Sequence, residues 1–92
     1  MYAVVTSSYD GAECCTLKNF LSEAKRILHK EFEQSLLEFG LSLTKNQRRE
    51  LTEYGELFSD GFYFQMRENY YSIKSANNAE DRLICKILEV EI

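Results

Sequence analysis

Residues 62–74 alternate in a way that only an extended chain can use. Phe62, Phe64 and Met66 fall on one side, and Tyr63, Gln65 and Arg67 on the other, because successive strand side chains point to opposite faces. After Glu68-Asn69 the pattern resumes: Tyr71 and Ile73 join the apolar set, while Tyr70, Ser72 and Lys74 join the polar one. The spacing predicts two strands and a tight hairpin. Five aromatics lie in residues 62–71 of a chain with no Trp, no Pro and a single His. One face of this hairpin must be buried against a second layer. The other face, with two tyrosines, is left over.

The remaining segments supply that layer. Residues 2–8 are short and β-branched and end at Tyr9-Asp10-Gly11, a turn signal. Thr16 reads as an N-cap. After it Leu17, Phe20, Leu21, Ala24, Ile27, Leu28, Phe32, Leu36 and Phe39 recur at intervals of three and four. That stripe predicts a long amphipathic helix over about residues 17–39, closed by Gly40, with a break near Lys30 as the alternative. Thr44 and Gln47 have the spacing of a capping box. The helix they open is expected to reach about Phe58, with Leu51, Tyr54 and Phe58 inward and Gly55 as its weak point. Ser59-Asp60-Gly61 turns the chain into strands at 62–67, 70–75 and 82–91, the last two joined through Asn77-Asn78-Ala79-Glu80-Asp81.

The expected order is β-α-α-β-β-β. Counting reversals sets the first strand antiparallel to the last, so the two can pair. The last strand is the longest and most apolar and belongs in the centre. The fold expected is α+β, a two-layer sandwich with a four-stranded antiparallel sheet and a helical pair on one face. Leu83, Cys85 and Ile87 alternate with Ile84, Lys86, Leu88 and Val90, which calls for a bulge near Lys86 or partial cover of both faces.

A chain of 92 residues makes one domain, 1–92, with a modest core. At 45% hydrophobic and 28% charged residues, disorder is excluded as a class. The net charge of −4 disfavours non-specific binding to nucleic acid or anionic membrane and suits a basic partner. No apolar run approaches the roughly 20 residues of a membrane span, and Met1-Tyr2-Ala3-Val4-Val5 has no signal-peptide character. Cys14, Cys15 and Cys85 are an odd set without a C-x-x-C pair. Reduced thiols in an intracellular protein are the simplest reading, with a bridge from Cys85 to Cys14 or Cys15 as the alternative.

Two groups of residues are candidate partner contacts. Glu50, Glu53, Glu56 and Asp60 follow one another at intervals of three, three and four. On a helix this lines up carboxylates, which can stand in for the phosphates of a nucleic acid; a solvated helix face would carry the same charges. Tyr63, Arg67, Tyr70 and Lys74, with Lys86 beside them, form the polar sheet face. Aromatics among cations can stack bases, or anchor a protein interface, or simply pair across a solvated sheet. No catalytic constellation, cofactor motif or metal set is expected. His29 lies among Lys25, Arg26 and Lys30 without a nucleophile in reach, and structural zinc wants four ligands.

A short acidic α+β chain whose opening strand ends in Tyr9-Asp10-Gly11, followed by helix and hairpins, resembles small accessory proteins of phages and mobile elements, of the anti-CRISPR type. The resemblance implies stoichiometric inhibition in the host cytoplasm: binding a bacterial nuclease or surveillance complex and blocking its nucleic-acid site or assembly. The expectation is therefore a non-enzymatic binding protein that inhibits a host nucleic-acid-processing or defence complex. The alternatives are a single-stranded nucleic-acid binder using the sheet face, and an oligomeric module, such as a homodimer, pairing through a free sheet edge.

Overall fold

A computed structural model describes residues 1–8, 13–75 and 81–91. The elements are β1 (Tyr2–Ser8), β2 (Glu13–Lys18), α1 (Leu21–Glu38), α2 (Lys45–Tyr54), β3 (Glu56–Ser59), β4 (Phe62–Arg67), β5 (Tyr70–Ser75) and β6 (Asp81–Glu89). All strands join one six-stranded sheet in the order β2-β1-β6-β5-β4-β3, and every neighbouring pair is antiparallel. The α+β class, the pairing of the first strand with the last, and the interior place of the last strand all match the sequence reading. The sheet has six strands, not four.

β2 replaces the expected first turns of the long helix. Thr16 and Leu17 lie opposite Val4 and Ala3 of β1. The helix begins only at Leu21, after Phe20 in extended conformation with no side-chain cap. Leu17 and Phe20 match helical spacing by coincidence; pairing with β1 over the whole of β2 outweighs that local preference. The true α1 stripe is Ala24, Leu28, Phe32 and Leu36, all buried. The helix ends as expected at Gly40, at φ 68°. Leu41 N–H donates to the Leu36 carbonyl and Gly40 N–H to that of Leu37, the two bonds of a Schellman ending.

α2 has the expected start. Gln47 N–H donates to the Thr44 hydroxyl, and Thr44 N–H donates to the Gln47 side chain. It ends four residues short of Phe58, because Gly55 is its left-handed terminus at φ 74°, not an interior weak point. Leu51 points into the core, whereas Tyr54 and Phe58 are exposed. Gly55 N–H donates to the Leu51 carbonyl, and its own carbonyl accepts from Met66 N–H. The helix terminus is thus fastened directly to β4, and the chain leaves it already extended as β3.

Both helices lie over one sheet face, α1 on β6, β1 and β2, and α2 on β3 and β4. The core joins Leu28, Phe32, Leu36, Leu43 and Leu51 to Val4, Leu57, Phe64, Tyr71, Ile73, Cys85 and Ile87. Phe32 meets Tyr71 edge-on at 5.1 Å. The shortest dimension of the molecule is 19 Å, the depth of one helix layer on one sheet. The register irregularity in the β5–β6 pair lies at Ile73/Lys74, not near Lys86, whose register is regular on both sides. The turns expected at Tyr9-Asp10-Gly11 and at 77–80 lie outside the described residues. Among those described, no helix is long and apolar enough to cross a membrane.

Candidate binding surface

The strand register fixes what the uncovered sheet face carries. Leu17, Ala3 and Leu88 form one cross-strand row. Cys15, Val5, Lys86, Tyr70 and Arg67 form the next. A third runs through Ser7, Ile84, Ser72, Gln65 and Glu56, and the last through Lys74, Tyr63 and Phe58. Rows two residues apart share a face, so these side chains make one continuous surface. It is aliphatic at the β2 end and aromatic and charged at the β3 end. Large apolar groups stand open on it: Leu17 is 56% exposed, Leu88 45% and Phe58 68%.

The aromatic end is ordered by its own contacts. Phe58 and Tyr63 stack with centroids 4.4 Å apart. The Tyr63 hydroxyl donates to Glu56 Oε2 at 2.7 Å. That bond to a carboxylate, helped by burial, pushes the Tyr63 phenol above its usual range, against the lowering influences of Gln65 and Lys74. Ser72, in the third row, is buried, and its hydroxyl reaches Gln65 Oε1 of the same row at 3.5 Å. Three side chains on two strands, Glu56, Phe58 and Tyr63, are therefore held in one arrangement with no partner present.

The eight residues expected to contact a partner divide differently from the expectation. Tyr63, Arg67, Tyr70 and Lys74 do share the uncovered face. The carboxylate stripe does not exist. Glu50 and Glu53 belong to α2, in the other layer. Glu56 belongs to β3, on the sheet face, and Asp60 lies in the β3–β4 turn with φ 54°. Gly55 is the reason, since its left-handed conformation ends the helix between Glu53 and Glu56. Phe58 and Leu17 are surface residues that sequence reasoning assigns to helices, whereas Leu88 shares the face of Lys86 as its alternation implies. The alternation Glu56-Leu57-Phe58-Ser59 directly after a glycine could have exposed the first of them.

No family model matches this chain, and no curated protein or solved structure matches it.

Other chemistry-bearing residues are scattered. Among the described residues no group of three His, Cys, Asp or Glu side chains could hold a metal ion. Cys14 and Cys15 are exposed free thiols, and Cys85 is a buried one. Thr6 donates to Cys85 Sγ at 3.4 Å, and burial pushes the Cys85 thiol upward. Thr6 stands between Cys14 and Cys85 in the register. Two strand spacings separate those cysteines, roughly 9–10 Å, beyond the ~7 Å that a disulfide spans. His29 is exposed on α1, away from all three thiols in sequence and on none of their strands.

Proposed function

We propose that this chain is a non-enzymatic binding protein whose working surface is the uncovered sheet face. The observation that carries the reading is the exposed, pre-ordered Phe58–Tyr63 stack, continuous along the sheet with Tyr70, Leu88 and Leu17. Contiguous exposed apolar area on a small monomer marks an interaction site. Aromatic anchors fixed before binding lose little conformational freedom on association. Covering Phe58, Leu17 and Leu88 would each contribute on the order of 1 kcal/mol or more.

The partner is a protein, and the role is inhibition of a host nucleic-acid-processing or defence complex, such as a bacterial nuclease or surveillance complex, in the host cytoplasm. The acidic balance of the chain and its likeness in size and style to small phage-encoded inhibitors support this target class. Phosphate mimicry by a helix stripe is no longer part of the reading, because Glu50 and Glu53 lie apart from Glu56 and Asp60. Capture of partners from a bacterial lysate, repeated with Phe58→Ala and with Glu50→Gln/Glu53→Gln, tests it. Loss of the captured protein with Phe58→Ala alone is expected. Loss with the helix variant alone would overturn the choice of surface.

A second reading rests on one row of the sheet. Tyr70 stands between Lys86 and Arg67 across β6, β5 and β4, an aromatic flanked by two cations as in sheet-based binders of single strands. Fluorescence anisotropy with a random oligonucleotide at two salt concentrations decides. Affinity that falls steeply with salt favours it, and absence of binding removes it.

A further inference from the structure

The register of the uncovered sheet face lays out a seam. Leu88, Tyr70, Gln65 and Phe58 lie on one diagonal, each one strand over and one row along from the last. Three such steps of strand and row spacing make roughly 25 Å. Leu88 and Phe58 stand exposed at the two ends, and Tyr63 widens the Phe58 end by its stack. Gln65, the polar member, already meets the Ser72 hydroxyl.

Cations flank the seam at its middle. Lys86 lies directly opposite Tyr70 on β6, and Arg67 directly opposite it on β4. Both are exposed, and neither makes a hydrogen bond or ion pair among the described residues. The Glu56 carboxylate on the same face is engaged by the Tyr63 hydroxyl, and Glu13 lies on β2, at the other edge of the sheet. The net charge of −4 belongs to the chain as a whole and does not describe the middle of this face.

We propose that the seam takes an acidic amphipathic α-helix of the partner protein, its apolar stripe on Leu88, Tyr70 and Phe58 and its carboxylates over Lys86 and Arg67. The inference rests on the sheet face being the working surface. Backbone groups inside a sheet are already paired, so an added strand joins at an edge, whereas a helix covers a face through side chains alone. At 1.5 Å per residue, about 17 residues of helix match the seam. An apolar stripe on such a helix leaves room for acidic side chains on both flanks. The partner helix would form a third layer, opposite α1 and α2. Charge separates the occupants. A second copy laid seam to seam sets cations against cations, which costs affinity. A single-stranded nucleic acid follows a positive track, whereas Lys86 and Arg67 stand in one row and share the face with Glu56 and Glu13.

The probe is a synthetic helical peptide of about 18 residues, with leucines in one stripe and glutamates on both flanks. The control carries lysines for the glutamates. Binding to the full chain is followed by fluorescence anisotropy and amide chemical shifts. The glutamate peptide should bind saturably, more weakly as salt rises, with shifts at Leu88, Tyr70 and Phe58. Arg67→Glu/Lys86→Glu should weaken it at least about tenfold and should gain binding of the lysine peptide. Both side chains are exposed, so this variant should keep the wild-type unfolding midpoint. A proline at the centre of the peptide should also weaken binding, since it breaks the helix. The proposal is overturned by no saturable binding up to about 1 mM, by a lysine or proline peptide equal to the glutamate one, or by a charge-reversed variant that binds as the wild type does. An oligonucleotide or a second copy of the chain that occupies these residues more tightly would overturn it too. Partner capture lost with Phe58→Ala but kept with Arg67→Glu/Lys86→Glu would remove the acidic helix and leave the surface. Capture lost only with Glu50→Gln/Glu53→Gln would remove the surface itself.

Discussion

Phe58 and Tyr63 face each other across β3 and β4, their rings stacked 4.4 Å apart with planes within 26° of parallel. Neither ring belongs to the core. Phe58 is 68% exposed, and Tyr63 is anchored at its other end by Glu56. A stack of this kind on a solvated sheet contributes about 0.5–1.5 kcal/mol, and most of the Phe58 ring still faces water. Phe58→Ala should therefore lower folding stability by about 1 kcal/mol or less, as read from urea unfolding. Partner affinity should fall at least about tenfold, as truncated interface anchors do. A variant that unfolds as readily as a core mutant would show that the ring is structural.

The two helix-ending glycines should behave unequally. Gly40 and Gly55 both have positive φ, at 68° and 74°. A Cβ at Gly40 meets nothing within 4 Å, whereas one at Gly55 comes 3.2 Å from the Met66 carbonyl oxygen. Gly40→Ala should cost about 1 kcal/mol from the left-handed backbone alone. Gly55→Ala should cost more, about 2 kcal/mol, since β4 must also give way at its backbone. Equal losses in chemical denaturation would remove the role assigned to the Gly55–Met66 contact.

Alkaline pH should destabilise the fold through two buried groups. Burial pushes the Tyr71 phenol and the Cys85 thiol above their ordinary values. In the unfolded chain they lose their protons near ~10 and ~8.5. The folded state keeps both protons longer, so stability is full below ~8.5 and falls as pH rises beyond it, more steeply beyond ~10. Each group can contribute a limiting slope of about 1.4 kcal/mol per pH unit. Cys85→Ala should flatten the first limb, and Tyr71→Phe the second, in denaturation midpoints measured from pH 7 upward.

Thiol accessibility should separate the cysteines. Cys14 and Cys15 are exposed and Cys85 is buried. Two thiols should react quickly with an aromatic disulfide reagent under native conditions, and the third only on unfolding. Mild oxidation of the folded protein should give no intrachain disulfide to Cys85, because the β1 strand separates it from β2. A Cys14–Cys85 or Cys15–Cys85 bridge found by peptide mapping of native protein would contradict the register.

The parts of the fold that were legible in the sequence are those with one dominant signal. The alternation in β4 and β5, the capping box at Thr44 and Gln47, and the glycine ending at Gly40 each describe a local preference that the tertiary structure keeps. β2 was hidden because Leu17 and Phe20 extend the α1 period backward, while the strand gains its stability from β1, a non-local pairing. β3 is hidden because a glycine that ends a helix and one that merely weakens it carry the same local signal; Gly55 ends α2, and that moves Glu56 and Phe58 from the helix onto the sheet. Tyr63, Arg67, Tyr70 and Lys74 came together as expected because alternation alone decides a strand's faces. Leu17 is not legible as their neighbour, since its strand is masked by the helical period and sequence spacing says nothing about which strand lies beside which.

Site-specific photo-crosslinking in host cells tests the central claim most directly. Benzoylphenylalanine is placed in turn at Phe58 and Tyr70 on the sheet face, and at Glu50 and Glu53 on α2. The account predicts one discrete cross-linked partner from the two sheet positions and none from the helix positions. Adducts from Glu50 and Glu53 with none from Phe58 and Tyr70 would contradict it.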